Sequence, residues 1–513
     1  MSASAFTLPP ELWIQIAYAI KTHRWPGLVE DGGISEQDTN GHSILALQNL
    51  SLSSKSLLEI TRPILFETIT IIGSKADSLD RAKYFGQLLA SNPLARNWIK
   101  DLTIISPHHG TSSIHAQMSD ILFDSLSSDI LMQTTSLRSL TLHDVELTHD
   151  LLFHLLQLSH STLQQLILDE VAWSGLEPSS NLVTSIRSQA HTLKTTDLAI
   201  RQRLAKGFDP ILPIIILFSL SPNLKRLSLD HTSAVYVYHL SSQTPLHNFQ
   251  SLLYLEVPEP MQSGLEPFMD FLNQCSNIVS MKLIPRWVSV PRELEWPAPI
   301  DVTPRLREYS GPYSPARLLL RGRPVEILCI QTGSIIPIFL SQNFLESLNQ
   351  GSTGIRHLEL CGPKWEDKIL SSIFSVFRDL ESLTLTDVHY QKGSANLLAV
   401  FLNTPVYNRL RQLRLSSANP SHDEPPHAPT IQKQRTIVQN ATQIYPALED
   451  VSLLSGVFWL RPAESDHWIV NFDKERTRRL FEPKVDSIWR LFNHNGELLR
   501  HASLGLNRPG TQP

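Results

Sequence analysis

The chain has 513 residues, of which 42% are apolar and 18% charged, with a formal net charge of −5. That length requires several domains or a repeat whose core grows by stacking, and the slight negative balance excludes a general electrostatic attraction for nucleic acid or an anionic membrane surface. Three cysteines, Cys275, Cys329 and Cys361, are too few and too scattered for a disulfide framework or a thiolate metal site, which predicts a reducing intracellular setting, cytoplasmic or nuclear.

The chain opens with "MSASAFTLPPELWIQIAYAI", which has neither the basic start nor the uninterrupted apolar run of a secretory signal. Pro9 and Pro10 suit a first helical turn, Glu11 suits the positive end of the helix dipole, and Leu12, Ile16 and Ile20 share one face. An amphipathic helix is therefore predicted. The polar, glycine-containing stretch 21–42 predicts a loop. After it, "SILALQNLSLSSKSLLEITRPILFETITI" sets Leu47, Leu50, Ser54, Leu57 and Leu58 at helical intervals, with a stop expected before Pro63 and a β-rich end.

Leucine occupies 80 positions, and a repeated frame explains the excess. The pattern apolar-x-x-apolar-x-apolar appears as "LRSLTL" at Leu137, "LQQLIL" at Leu163, "LKRLSL" at Leu224, "LESLTL" at Leu380 and "LRQLRL" at Leu410. Looser versions start at Ile99, Leu193, Leu252, Ile278, Val325, Ile355 and Leu448, with a poor match, "LREYSG", at Leu306. A further strict match, "LQNLSL" at Leu47, lies inside a predicted helix, so spacing carries more weight than the motif. From Leu137 onward most starts fall 25 to 31 residues apart, close to the leucine-rich repeat period of roughly 20 to 29 residues. Within one interval Thr148 can cap a helix bearing Leu151, Leu152, Leu155 and Leu156.

Each interval thus predicts a strand followed by a helix. The fold class is α/β, a curved solenoid with parallel strands on its concave side and helices on its convex side. Residues alternating with the leucines then face outward: Thr141, His143, Asp169, Arg226, Asp230, Tyr254, Glu256, Lys282, His357, Glu359 and Arg414, beside Ser139, Gln165, Ser228 and Gln412. They form the predicted target-binding surface. The solenoid is expected over 67–456, with extended connections in the proline- and arginine-rich segment 285–324 and a disordered loop over 416–430. Residues 457–513, rich in Trp and Arg, are expected to cap the last leucines.

No phosphate loop, dinucleotide fingerprint, zinc-protease helix or C-x-x-C pair occurs in the sequence, so no enzyme, cofactor or metal site is predicted. His143, His149, His154 and His160 fall on a strand, a turn and different sides of a helix, which predicts solvated histidines. His108 and His109 are read the same way. The run from Lys474 to Arg479 predicts a solvated helix face.

Leu8, Pro9, Glu11, Leu12, Ile14 and Ile16, followed by "LQNLSLSSKSLLEITRPILFETITI", resemble the F-box of many fungal proteins joined directly to leucine-rich repeats. Where the family usually has a Val-Cys-basic run, this chain has Ser53, Ser54, Lys55, Ser56 and Leu57. The resemblance implies a helical module over 1–66 that docks on the Skp-type adaptor of a cullin-RING ubiquitin ligase. Leu8, Pro9, Glu11, Leu12, Ile16, Leu50, Ser54 and Leu57 would meet the adaptor, and the repeats would hold a target protein. A repeat scaffold without a ubiquitin role is the other class the residues leave open. Nucleic acid and membrane are not expected partners.

Overall fold

The computed structural model describes residues 9–22, 36–73, 78–106, 129–147, 154–173 without 156 and 160, 194–201, 223–238 without 232 and 236, 247–285, 302–331, 341–363, 368–388, 406–417, 431–453, 457–462 and 467–472. Two compact units result: unit 1 is residues 1–257 with 266–275, and unit 2 is residues 258–265 with 276–513.

Unit 1 begins with three helices, α1 (Pro10–Thr22), α2 (Glu36–Ser53) and α3 (Lys55–Leu65). The apolar stretch that reads as one helix is cut at Ser54, whose extended backbone lets its hydroxyl accept the Leu57 N–H at 3.1 Å and cap α3. Around that joint Ala17, Leu47 and Ile64 form a small buried core, with Leu50 and Leu65 packed against it. Two expectations need correction. The stretch 21–42 is not all loop, because α2 already runs from Glu36; a helix nucleated by packing at Leu47 extends at little cost per added residue. Nor does α3 stop before Pro63. The ring forfeits one bond to the Glu59 carbonyl, but Glu59 lies on the exposed side where solvent can satisfy it, and buried Ile64 holds the last turn.

The repeats of unit 1 follow. Strand β1 (Thr68–Ile72) leads to α4 (Ser78–Ser91) and to α5 (Pro93–Trp98), whose first N–H groups are accepted by Asn92 Oδ1. Next come β2 (Asp101–Ile105), β3 (Ser139–His143), β4 (Glu146–Leu147), β5 (Gln165–Asp169), β6 (Ala172–Trp173), β7 (Asp197–Arg201), β8 (Arg226–Leu229), β9 (Tyr254–Pro258) and α6 (Leu265–Gln274). Strands β1, β2, β3, β5, β7, β8 and β9 pair in that order, all parallel, while β4 and β6 make a separate short pair. Their register aligns Leu102, Leu140, Leu166, Leu198, Leu227 and Leu255 in one row, every one buried. Burying a leucine contributes about 1.5–3 kcal/mol, so the row is a principal source of cohesion.

Unit 2 continues the scheme with β10 (Ser280–Ile284), β11 (Glu308–Gly311), α7 (Tyr313–Leu319), β12 (Ile327–Ile330), α8 (Gln342–Leu348), β13 (His357–Cys361), α9 (Ile369–Val376), β14 (Ser382–Val388), β15 (Gln412–Ser417), α10 (Ile431–Ile444) and β16 (Asp450–Leu453). Strands β10 to β16 are parallel in chain order. Then the direction reverses: β17 (Val457–Leu460) and β18 (Ile469–Phe472) pair antiparallel, and Trp459, buried opposite Val451, donates its indole N–H to Gln434 at 3.2 Å. Parallel strands, one per repeat, with buried leucine rows are the leucine-rich repeat architecture in both units.

Three local departures have physical causes. At Leu193 the frame is shifted, because Leu198 and Ile200 take the inner positions and Thr195 the first one. A threonine fits there because its hydroxyl donates to the Leu163 carbonyl at 3.4 Å. In "LREYSG" the ring of Tyr309 fills the leucine position and its hydroxyl donates to the Pro312 carbonyl at 3.0 Å. Gly311 compensates: a Cβ there would stand 2.8 Å from the Leu283 carbonyl and 2.9 Å from the Tyr309 hydroxyl. Finally, segment 285–324 is not wholly extended, since α7 forms within it. Pro315 lies in its first turn, where a missing N–H costs nothing.

One backbone feature recurs at the start of the strands. The Lys100 carbonyl accepts both Arg138 N–H at 2.7 Å and Ser139 N–H at 3.0 Å, and the carbonyls of Glu67, Arg138, Gln164, Thr196 and Lys225 do the same for the next strand. In unit 2 the doubly accepting residues are Val279, Arg307, Glu326, Arg356, Glu381 and Arg411. These residues form an edge row in each unit. The predicted Thr148 cap, His108, His109, His149, His160, loop residues 418–430 and the Lys474–Arg479 run lie outside the described residues.

Candidate binding surfaces

The helical module of unit 1 is too small to bury all its apolar side chains. Leu12 (42% exposed), Ile14 and Tyr18 on α1, and Leu45 and Leu52 (81%) on α2, remain open. Leu45 and Leu52 are seven residues apart and so share a helix face, turned from the one that buries Leu47. Of the residues named from the resemblance, Pro9, Glu11, Leu12 and Ser54 are exposed, Ile16, Leu50 and Leu57 are half-buried, and Leu8 lies outside the described residues. Leu50 packs on the small core and Ser54 caps α3, so both already have structural work within the module. The sequence reading passed over Tyr18, Leu45 and Leu52. The i to i+7 spacing of the two leucines was the available signal.

On the ladder of unit 1 the side chains alternating with the leucines sit half-exposed on the opposite face. Neighbouring strands bring them together in pairs. His143 Nδ1 lies 3.0 Å from Asp169 Oδ2, and Ser139 donates to Gln165 at 2.8 Å. Thr141 stands beside Ile167 in the same register. Further along, the Arg226 guanidinium lies 4.7 Å over the ring of Tyr254 and 3.8 Å from Asp197, while Ser228 donates to Glu256 at 3.1 Å. Asp230 is the exception. β8 ends at Leu229, and the Asp230 carboxylate turns back to accept the Ser233 N–H at 2.7 Å, so it caps a helical turn rather than continuing the strand face.

In unit 2, Lys282, His357 and Arg414 are exposed and Glu359 is half-buried. Glu359 adjoins Cys329, whose thiol is pushed up to about 11 by burial and by that carboxylate's charge. The thiol therefore stays protonated and unreactive at neutral pH. Arg414 donates to Asp450 at 2.6 Å, and Gln412 donates to the same carboxylate oxygen at 2.6 Å. No disulfide joins the three cysteines, and among the described residues no group of three or more His, Cys, Asp or Glu side chains is arranged to hold a metal.

The prediction that all the histidines are solvated fails at His154. It is buried, and since the Leu131 carbonyl 2.8 Å away can only accept, Nε2 carries the proton. Burial lowers its pKa, with hydrogen bonds to the Leu131 and Thr134 backbone opposing the shift.

The edge rows carry different charges. In unit 2, Arg356 lies between Glu326 at 4.0 Å and Glu381 at 2.5 Å, and Arg411 lies 3.9 Å from Glu449. In unit 1 the row reads Glu67, Lys100, Arg138, Gln164, Thr196 and Lys225.

Buried leucine rows behind an open, mixed polar face give a parallel-strand ladder of leucine-rich repeat type, whose broad surface offers side chains for contact. No protein-family model matches the chain, and no curated protein matches it. Among solved structures, the crystal structure of a TLR13–ssRNA13 complex is 14% identical to it, over 64% of this chain and 42% of that one, with a TM-score of 0.29. The chain thus spans less than half the length of that neighbour, and the fold assignment rests on strand register and buried rows alone. No helix among the described residues is long and apolar enough to cross a membrane.

Proposed function

We propose that this chain is a substrate-recognition subunit of a Skp–cullin–F-box type ubiquitin ligase. The observation that carries the reading is the small three-helix module, which leaves Leu12, Ile14, Leu45 and Leu52 uncovered immediately before a repeat ladder. Large apolar side chains clustered on one small module cost solubility and are the usual anchors of a helical docking surface. The F-box resemblance supplies the partner, a Skp-type adaptor. The ladder face supplies paired charges and an aromatic ring for a target protein.

The mechanism is positional. Holding adaptor and target on one chain raises the effective concentration of a target lysine at the ligase's catalytic centre, and the chain itself contributes no reacting group. Co-expression with a Skp-type adaptor tests this. The full chain is expected to co-purify with adaptor, and Leu12→Asp with Leu52→Asp is expected to reduce capture at least about tenfold, as loss of two anchors should. Absence of capture by a well-folded full chain would leave a protein-binding scaffold without a ubiquitin role.

A further inference from the structure

The sheet of unit 2 ends at β18 (Ile469–Phe472), which β17 holds on one side. Among the described residues no strand pairs with its far side, and no backbone hydrogen bond from Ile469–Phe472 reaches beyond β17. Edge strands are usually blunted by a charged residue, a proline or a bulge, because their open N–H and C=O groups invite another strand. β18 carries none of these: its letters are Ile, Val, Asn and Phe, and its register with β17 is continuous. Three of the four have high β-propensity. Val470 lies buried opposite Trp459, while Ile469 is half-buried on the other face with Leu460 and Phe458.

The sequence around this strand is complementary to itself in reverse. Counting outward from Val470, Ile469 answers Asn471, Trp468 answers Phe472, His467 answers Asp473 and Asp466 answers Lys474. Aromatic stands against aromatic, and acid against base.

We propose that β18 pairs with β18 of a second copy of this chain, antiparallel about a twofold axis at Val470. A twofold axis in the sheet makes the two strands antiparallel, the stronger of the two pairings, and sets each residue opposite its mirror position. Opposed residues share a face of the pleat, so a half-step slip that sets buried Val470 against outward Asn471 is excluded. Moving the axis one residue either way sets Asp466 against Phe472 or Ile469 against Asp473, a charge against an apolar side chain. Only the axis at Val470 satisfies both the pleat and the charges. A strand from an unrelated protein would gain the same backbone bonds, but it would not account for a sequence matched to its own reverse. The pairing of one short strand covers less than the roughly 1,200 Å2 of a stable interface, so a dissociation constant on the order of 10 μM is expected. The inference goes beyond the ligase reading and holds whether or not the helical module docks an adaptor.

Sedimentation velocity of the full chain from about 1 to 100 μM, a range that spans this constant, tests the proposal. The average mass is expected to rise with concentration toward twice the monomer value and to stop there, because a twofold contact closes on itself. Ile469→Lys installs the usual edge guard and should weaken association at least about tenfold. Asp466→Lys and Lys474→Asp should each weaken it by about tenfold at low salt, since every like-charge contact occurs twice in the dimer, and the double exchange should restore it. A mass that stays monomeric throughout overturns the proposal, as does undiminished association of Ile469→Lys. Growth beyond the dimer overturns the twofold axis, and a double exchange that stays weak overturns the antiparallel register. Leu12→Asp with Leu52→Asp is expected to leave association unchanged; its loss in that variant would move the contact to the helical module.

Discussion

In unit 2 the edge row alternates in sign, through Arg307, Glu326, Arg356, Glu381, Arg411 and Glu449, whereas in unit 1 a single glutamate precedes cations and neutral residues, through Glu67, Lys100, Arg138, Gln164, Thr196 and Lys225. The backbone bonding is the same in both. What differs is the order of charges: alternating in unit 2, and in unit 1 one glutamate, Glu67, ahead of Lys100 and Arg138. A fold that dictates the inner leucines so strictly is indifferent to this position, so its chemistry reports on use.

The largest effects probe what the two units share. Leu140→Ala in unit 1 and Leu358→Ala in unit 2 delete equivalent buried side chains, and each is expected to cost about 2–5 kcal/mol in chemical denaturation. A strongly unequal pair of losses would break the claim that the inner rows are equivalent.

Charge reversal comes next and should separate the units. Glu381→Arg places a cation between Arg356 and Arg411, and is expected to lower the denaturation midpoint at low salt and less so at high salt, given the exposure of these groups. Arg138→Glu breaks no ion pair among the described residues and should leave stability within about 0.5 kcal/mol. Equal losses would show that the unit 1 row is also self-compensated.

The smallest effect is a pH dependence centred on unit 1. The folded-state pKa of His154 is depressed by burial, so its neutral form contributes stability that is complete above the unfolded value of about 6.5. That stability is lost as pH falls from there toward the folded value, because the unfolded chain takes up the proton first. His154→Gln is expected to flatten the denaturation midpoint between pH 7 and 5 relative to the unaltered protein. An unchanged slope would remove His154 as its source.

Much of the repeat was legible because leucines at a fixed spacing have only one way to share an interior. The frame at Leu193 misled because it counts apolar letters, and Thr195 meets the requirement of a buried position by bonding its hydroxyl instead. Ser54 misled for the converse reason. Its spacing suits a helix, but its side chain competes for the backbone N–H of Leu57 and breaks the helix there. Asp230 followed the strand alternation until the backbone turned, which no periodicity records. Strand alternation placed residues such as Thr141 and Tyr254 on the face opposite the leucines, yet could not tell which neighbours would pair. The edge row was within reach: Arg138 in "LRSLTL", Glu381 in "LESLTL" and Arg411 in "LRQLRL" occupy the same second place. Only in-register stacking turns that column of letters into a line of adjacent charges.

Because each edge-row carbonyl is committed to two neighbouring N–H groups while its side chain lies outside the buried leucine rows, a point mutation there changes the outer chemistry with little disturbance of the backbone. Such a row can be rewritten one residue at a time. A lineage could exchange one partner for another along it through a series of folded intermediates, each step within the stability the leucines already provide.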